Sequence, residues 1–247
     1  MFASRGVFFR PGFFVLEIIM NTTENNSRKG LRLITGIGIF SAFAFVVSLV
    51  CEVFPNVAGF LSIDLKDAVI AIASFIYGPL AAPAISLIVA AVELVSIGSD
   101  TGWYGFVMNF ASSATFSLVA SLIYSRKKTV NTALIGLLSA VLATTSVMIV
   151  LNAFVTPIFV AQRGIPFDVL PNLPVLFLPF NFAKTLLNSA ATMLLYKPII
   201  NAMRKAKLIP GLGYKTTFNK NTVKVLIIGG AALILSVAIL FILLIIN

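Results

Sequence analysis

The sequence predicts an all-α integral membrane protein: a bundle of six helices followed by an extra C-terminal transmembrane helix. Three observations carry that prediction. Of 247 residues, 59% are hydrophobic and 11% charged, and the mean hydropathy is +1.05. Several apolar runs approach the roughly 20 residues needed to cross a hydrocarbon core. Basic residues gather in short segments between those runs, as expected of loops on the cytoplasmic side of a membrane. A single cysteine, Cys51, excludes a disulfide within the chain, and the absence of histidine removes the commonest acid/base group and metal ligand. No catalytic residue and no metal site is therefore expected, and the chain is not read as an enzyme.

The apolar runs are 31–53, 67–77, 79–98, 103–124, 130–160, 175–197 and 222–246. The first is preceded by Arg28 and Lys29. The second and third are separated at Gly78-Pro79, where glycine accepts turn geometry and proline disfavours helix in the residue before it. Charge decides that 67–98 crosses twice. Arg126, Lys127 and Lys128 then share the inner face with Arg28, Lys29 and the later cluster Lys197, Arg204, Lys205 and Lys207. Run 67–77 is too short to span alone at about 1.5 Å per residue, so it is expected to recruit Ser62 to Lys66 or to lie deep in the fold. Glu52, Asp64, Asp67, Glu93, Asp100 and Asp168 fall in the alternate segments with only Lys66 and Arg163 as cations, which marks the outer face.

The organisation expected is a tail over 1–29, a six-helix membrane domain over 30–203, a basic linker over 204–221 and an appended helix over 222–247. The N-terminus is cytoplasmic. Residues 1–19 resemble a signal peptide superficially, but Pro11 and Glu17 interrupt the apolar run and no small-residue cleavage site follows. Leu16-Glu17 can be encoded by a sequence containing a ribosome-binding GGAG followed, two codons later, by Met20. Translation is therefore expected to start at Met20, and peptides upstream of it in mass spectrometry of the expressed protein would overturn this.

The net charge of +10 does not point to nucleic acid, because no basic stripe with interleaved aromatics occurs outside the loops. The functional signal lies in the polar side chains of the apolar helices: Asn109, Asn152, Asn181, Lys184 and Asn188. A cation within a membrane helix costs roughly 2.5 to 3.5 kcal/mol on insertion scales, so Lys184 marks a functional site by default. Asn181, Lys184 and Asn188 recur at intervals of three and four, on one helix face. An amide offers donor and acceptor to the edge of a flat heterocycle, and a lysine suits a carbonyl or an electron-rich ring nitrogen. Asn109 and Asn188 have an equal alternative in bonding a neighbouring helix.

Other residues have two readings each. Trp103 and Tyr104 either complete a pocket or anchor the helix at the interface. Phe60 to Asp67, FLSIDLKD, alternates apolar and polar residues and reads as an outer strand or lid over the pocket. Its Asp64 and Asp67 either serve the site or are solvated and cap the next helix. Gly38 and Ala42, four apart with Ser41 between them, form a small-residue pattern that suits internal packing or docking of a partner. No phosphate-binding loop is present, since GLGYKT over 211–216 lacks the spacing, so ATP-driven transport requires another chain. No inverted repeat is visible, which speaks against a self-sufficient secondary carrier.

The segments FLSIDLKD (60–67), YGPLA (77–81), Leu151-Asn152 and LPFNFAK (178–184), in this order, resemble the substrate-binding S component of energy-coupling-factor (ECF) vitamin transporters, most closely the riboflavin-specific type. The resemblance runs from about Leu31 to Lys205. It implies a six-helix bacterial cell-membrane protein that binds one vitamin near the outer side beneath the loop after helix 1. The site residues implied are Asn152, Asn181 and Lys184. The partners implied are a transmembrane T component, docked on small residues of helix 1 for which Gly38, Ser41 and Ala42 are the candidates here, and two ABC ATPases. The chain departs from the riboflavin type at Val89-Ala90, where a Lys-Asn pair is usual, at Ala82 in place of a glycine, and at Trp103-Tyr104. Riboflavin is the ligand expected, as cargo and not as a cofactor, with FMN or flavin analogues beside it. Pyridoxine, a thiamine precursor and pantothenate remain the alternatives, and an autonomous secondary transporter is the alternative class.

Overall fold

The computed structural model describes residues 11–57, 61–96, 102–162, 173–205 and 220–246. Phe60, Asp100, Arg163, Asp168 and the linker residues 206–219 lie outside the described residues, as do residues 1–10 of the stretch upstream of Met20. Contacts group the chain into two units, Met1–Thr35 and Gly36–Asn247. Where described, the first is the N-terminal part of one helix, and the second contains all the elements that follow.

Seven helices make up the described chain: α1 Pro11–Cys51, α2 Lys66–Tyr77, α3 Ala81–Val95, α4 Gly102–Ser125, α5 Val130–Gln162, α6 Leu173–Lys205 and α7 Lys220–Ile246. The expected break at Gly78-Pro79 is present: Gly78 has φ 102°, a conformation that glycine adopts without strain, and its N–H closes α2 on Ser74 O at 2.9 Å. Helix α1 begins 20 residues before the apolar run that predicted it. The polar stretch Asn21 to Lys29 holds neither proline nor glycine, so nothing local stops the helix there. Between α4 and α5, Lys128 takes φ 47°. Thr129 then caps α5 reciprocally: Thr132 N–H donates to Thr129 Oγ1 at 3.2 Å and Thr129 N–H to Thr132 Oγ1 at 3.0 Å.

Four described segments are long and apolar enough to cross a membrane: Gly30–Cys51, Gly102–Ser125, Val130–Gln162 and Val223–Ile245. Helix α3 is shorter, with 15 residues, and α2 has 12. The 33-residue α6 has ample length, but its buried polar residues dilute its apolar character. Helix α2 meets the second expectation for it, burial: ten of its residues, Lys66 to Phe75, are buried. A 12-residue helix can sit at membrane depth only because α3, α4 and α6 surround it.

Three apolar clusters hold the second unit. Phe40 and Ala44 of α1 pack with Val69, Ile70, Ile72 and Ala73 of α2 and with Ala81, Ile85 and Val89 of α3. The far face of α2, through Ala71 and Phe75, meets Phe116, Ala120 and Tyr124 of α4 and Leu137, Ala140 and Val141 of α5. The third cluster joins α6 and α7 to the loop before α2. Close approach is needed at Gly36, where a Cβ would lie 2.2 Å from Tyr77 Cζ, and at Gly136, where it would lie 2.7 Å from Ala120 O.

Candidate ligand-binding site

Helix α6 presents Asn181, Lys184, Thr185, Asn188 and Thr192 toward the interior, at the three- and four-residue spacing of one helix face. All five are buried, with Lys184 8% exposed and Asn188 0%. The predicted shared face is therefore real. Pro179 lies inside α6 two residues before Asn181, and Pro157 inside α5 five residues beyond Asn152. Each proline removes a backbone donor, and each asparagine amide bonds a carbonyl of its own helix one turn back. Asn181 Nδ2 donates to Phe177 O at 2.8 Å, and Asn152 Nδ2 donates to Met148 O at 2.7 Å while Thr156 donates to Asn152 Oδ1 at 3.1 Å. Helices α5 and α6 meet through the Thr145 and Thr185 hydroxyls, 3.4 Å apart. Counting from that contact along antiparallel helices puts Asn152 and Asn181 within about one turn of each other.

Lys184 does not stand alone. Its Nζ lies 2.7 Å from Asp64 Oδ2, in the loop before α2, and Lys66 Nζ lies 3.7 Å from the same oxygen. Lys66 in turn donates to Glu93 Oε1 at 2.8 Å and Oε2 at 2.6 Å. Ser48 of α1 donates to Glu93 Oε1 at 2.6 Å, and Asn109 Nδ2 of α4 donates to Oε2 at 3.2 Å. Asp67 accepts from Ser113 at Oδ1, and Ser117 donates to Asp67 O at 3.5 Å. Five ionisable groups from the loop, α2, α3 and α6 are thus buried together and tied to α1 and α4 by neutral donors. Burial alone would push the Asp64 carboxyl up, but the Lys184 ammonium, and after it that of Lys66, outweigh burial and hold the group below the usual carboxylate range. Among the described residues, Asp64 Oδ1 is buried without a hydrogen-bond partner of good geometry.

Asn188 has a different geometry. The N-cap residue of α2, Leu65, offers no side-chain cap. Asn188 supplies one from α6: Ala68 N–H donates to Asn188 Oδ1 at 2.9 Å, and Asn188 Nδ2 donates to Asp64 O at 2.9 Å and to Lys184 O at 3.1 Å. Its amide engages backbone from two elements, the inter-helix alternative of the sequence reading. Asn109 follows the same alternative through Glu93.

The remaining candidates separate. Trp103 is 70% exposed and stacks edge-on with Phe106, so it faces outward. Tyr104 is half-buried and meets Phe159 of α5 edge-on. Gly38 and Ala42 are exposed on the outer face of α1, whereas Ser41 is buried. In the described part of the loop, Val57 and Leu61 form an isolated antiparallel bridge in place of a strand. Asp64 and Asp67 are buried, not solvated. Lys66 and Glu93 were not singled out by the sequence. Their signal was a carboxylate inside apolar run 79–98 and a cation among acidic residues, each needing the other.

The described helices thus bury a polar and charged cluster to which the loop before α2 and helices α1, α2, α3, α4 and α6 all contribute. The chain belongs to the family described as the ECF transporter, substrate-specific component, which matches residues 32–200. It is similar to the riboflavin transporter RibU of Staphylococcus aureus (strain TCH60), 31% identical over 186 residues covering 73% of this chain and 96% of that protein. It is also similar to the riboflavin transporter FmnP of Bacillus subtilis (strain 168), 29% identical over 181 residues covering 70% of this chain and 95% of that protein. A solved structure of the S component of a bacterial ECF transporter superposes with TM-score 0.59 at 26% identity, covering 71% of this chain and 99% of that one. The chain is a multi-pass membrane protein of the S-component fold with one helix more than the matched region contains.

Proposed function

We propose that this chain is the riboflavin-binding subunit of an ECF importer, with its N-terminus in the cytoplasm. It presents the bound vitamin to a separate T component driven by two ABC ATPases. The observation that carries the reading is the buried face of Asn181 and Lys184 set against the Asp64 carboxylate. A flavin ring ends in an imide edge of alternating acceptor and donor, which an ammonium, a carboxylate oxygen and an amide complement. Asn152 completes the set from α5. The riboflavin transporters among the relatives support the same ligand, and FMN or flavin analogues share its ring. Gly38 and Ala42, exposed on α1, are the residues on which the T component docks, with Ser41 beneath them.

An absorbance spectrum of the protein purified in mild detergent tests the ligand, since a tight binder retains its cargo. Flavin bands near stoichiometric amounts, or quenching of added riboflavin fluorescence, are expected. A colourless protein that quenches nothing overturns riboflavin. It would favour pyridoxine, a thiamine precursor or pantothenate, a reading to which Val89 and Ala90 lend weight: both are buried and apolar where the riboflavin type carries Lys-Asn. Uptake into vesicles holding this chain alone, driven by an ion gradient, would instead establish a secondary transporter.

A further inference from the structure

Helix α7 lies beyond the residues matched to the family, yet it reaches the binding site. Its Leu240 and Leu243 are buried in one cluster with Val57 of the α1–α2 loop and with Phe180, Ala183 and Leu187 of α6. Leu61, Ile63 and Leu65 of the loop pack on the same cluster. The loop therefore alternates: Ile63 and Leu65 turn to the α6–α7 side, and Asp64 between them turns to Lys184 and Lys66. Phe180 and Leu187 lie one turn to either side of Lys184 on α6, so on that helix the apolar cluster borders the ion pair directly. The rest of α7 has an apolar face open to lipid, with Phe241 and Ile242 62% and 53% exposed beside the two buried leucines.

We infer that α7 is a built-in clamp: Leu240 and Leu243 hold loop residues 61–65 against α6 and so position Asp64 on Lys184, which sets how fast ligand exchanges. The clamp on the loop stands on packing alone, and its effect on exchange rests on the riboflavin-binding reading above. Cys51, the sole cysteine of the chain, is a native reporter, because it is buried and its thiol lies against the Leu65 backbone.

The test compares full-length wild type with the double variant Leu240→Ala/Leu243→Ala and with Phe241→Ala/Ile242→Ala, an equal truncation on the exposed face. Two quantities are read in detergent: the rate of Cys51 alkylation by a maleimide and the rate of riboflavin release by fluorescence. Loss of burial from the clamped state alone is expected to raise both rates in the first variant by about tenfold or more and in the second by less than about twofold. The milder full-length variant Leu240→Val/Leu243→Val should move both rates in the same direction, and it replaces the double variant if that misfolds. Equal rates in wild type and both leucine variants overturn the clamp. If wild type binds no riboflavin, the ligand reading fails, but the alkylation rates still decide the clamp.

Discussion

Lys184 Nζ and Asp64 Oδ2 are 2.7 Å apart, and both side chains are almost fully buried, so each charge is compensated chiefly by the other. Removing one partner from such a pair costs about 3 to 5 kcal/mol, because a buried charge is stranded. Lys66, 3.7 Å from the same carboxylate, softens that loss and places the expectation for Lys184→Met near about 3 kcal/mol. The double variant Asp64→Asn/Lys184→Met removes both charges and should regain most of the thermal stability. Riboflavin affinity should stay reduced in it by roughly 1 to 3 kcal/mol, the worth of the lost charge-assisted hydrogen bond. Thermal unfolding and fluorescence quenching separate the two effects. Full affinity in the double variant together with unchanged affinity in Asn181→Ala would remove this face from the binding site.

The same pair sets a pH dependence. Asp64 is held below its ordinary value in the folded chain, whereas the unfolded chain titrates it near about 3.9. Its contribution is therefore fully present above that unfolded value and is lost as pH falls through the lower folded value. Thermal stability should be level with respect to this group from about pH 5 to 8 and decline below about pH 4. Asp64→Asn should lessen the decline. An acid limb of equal steepness in that variant would show that other carboxylates dominate.

Asn188 predicts a result of a different kind. Its amide serves the backbone of the loop and of α2, so Asn188→Ala leaves Ala68 N–H and Asp64 O buried without these partners. A lost cap costs about 1 kcal/mol and a buried unsatisfied group about 1 to 3 kcal/mol. Unfolding should show a loss larger than that of Asn181→Ala, whose amide bonds its own helix at Phe177 O. The opposite order would mean that Asn188 is not the cap of α2.

The helices were legible in the sequence because their signals are local: Gly78-Pro79 ends α2, and the spacing of Asn181, Lys184 and Asn188 defines a face. The charge cluster was not. Lys66 and Glu93 are 27 residues apart and Ser48 and Glu93 are 45 apart, and no periodicity within a run reports a contact between runs. Sorting acidic residues by side of the membrane left Asp64 and Asp67 with both a site reading and a solvated one and gave Glu93 no role, although all three are buried. The role of Asn188 was hidden for a related reason, since a helix cap supplied from 120 residues away looks in the sequence like any other intramembrane asparagine.

Helix α1 offers two glycines two residues apart with opposite consequences. A Cβ at Gly36 would stand 2.2 Å from Tyr77 Cζ, so Gly36→Ala must displace a ring that also meets Phe40 edge-on with centroids 6.0 Å apart. Overpacking of this kind costs typically about 1 to 3 kcal/mol, and thermal unfolding should register it. At Gly38 a Cβ meets nothing within 4 Å, and Ala42 lies exposed one turn on. Gly38→Leu and Ala42→Leu should therefore leave folding and riboflavin affinity within about 0.5 kcal/mol of wild type. If that face docks the T component, the same substitutions should abolish uptake by cells that supply the complete transporter and should weaken co-purification of the T component. Normal uptake with both bulky side chains in place would leave α1 facing lipid alone and move the docking surface to another helix.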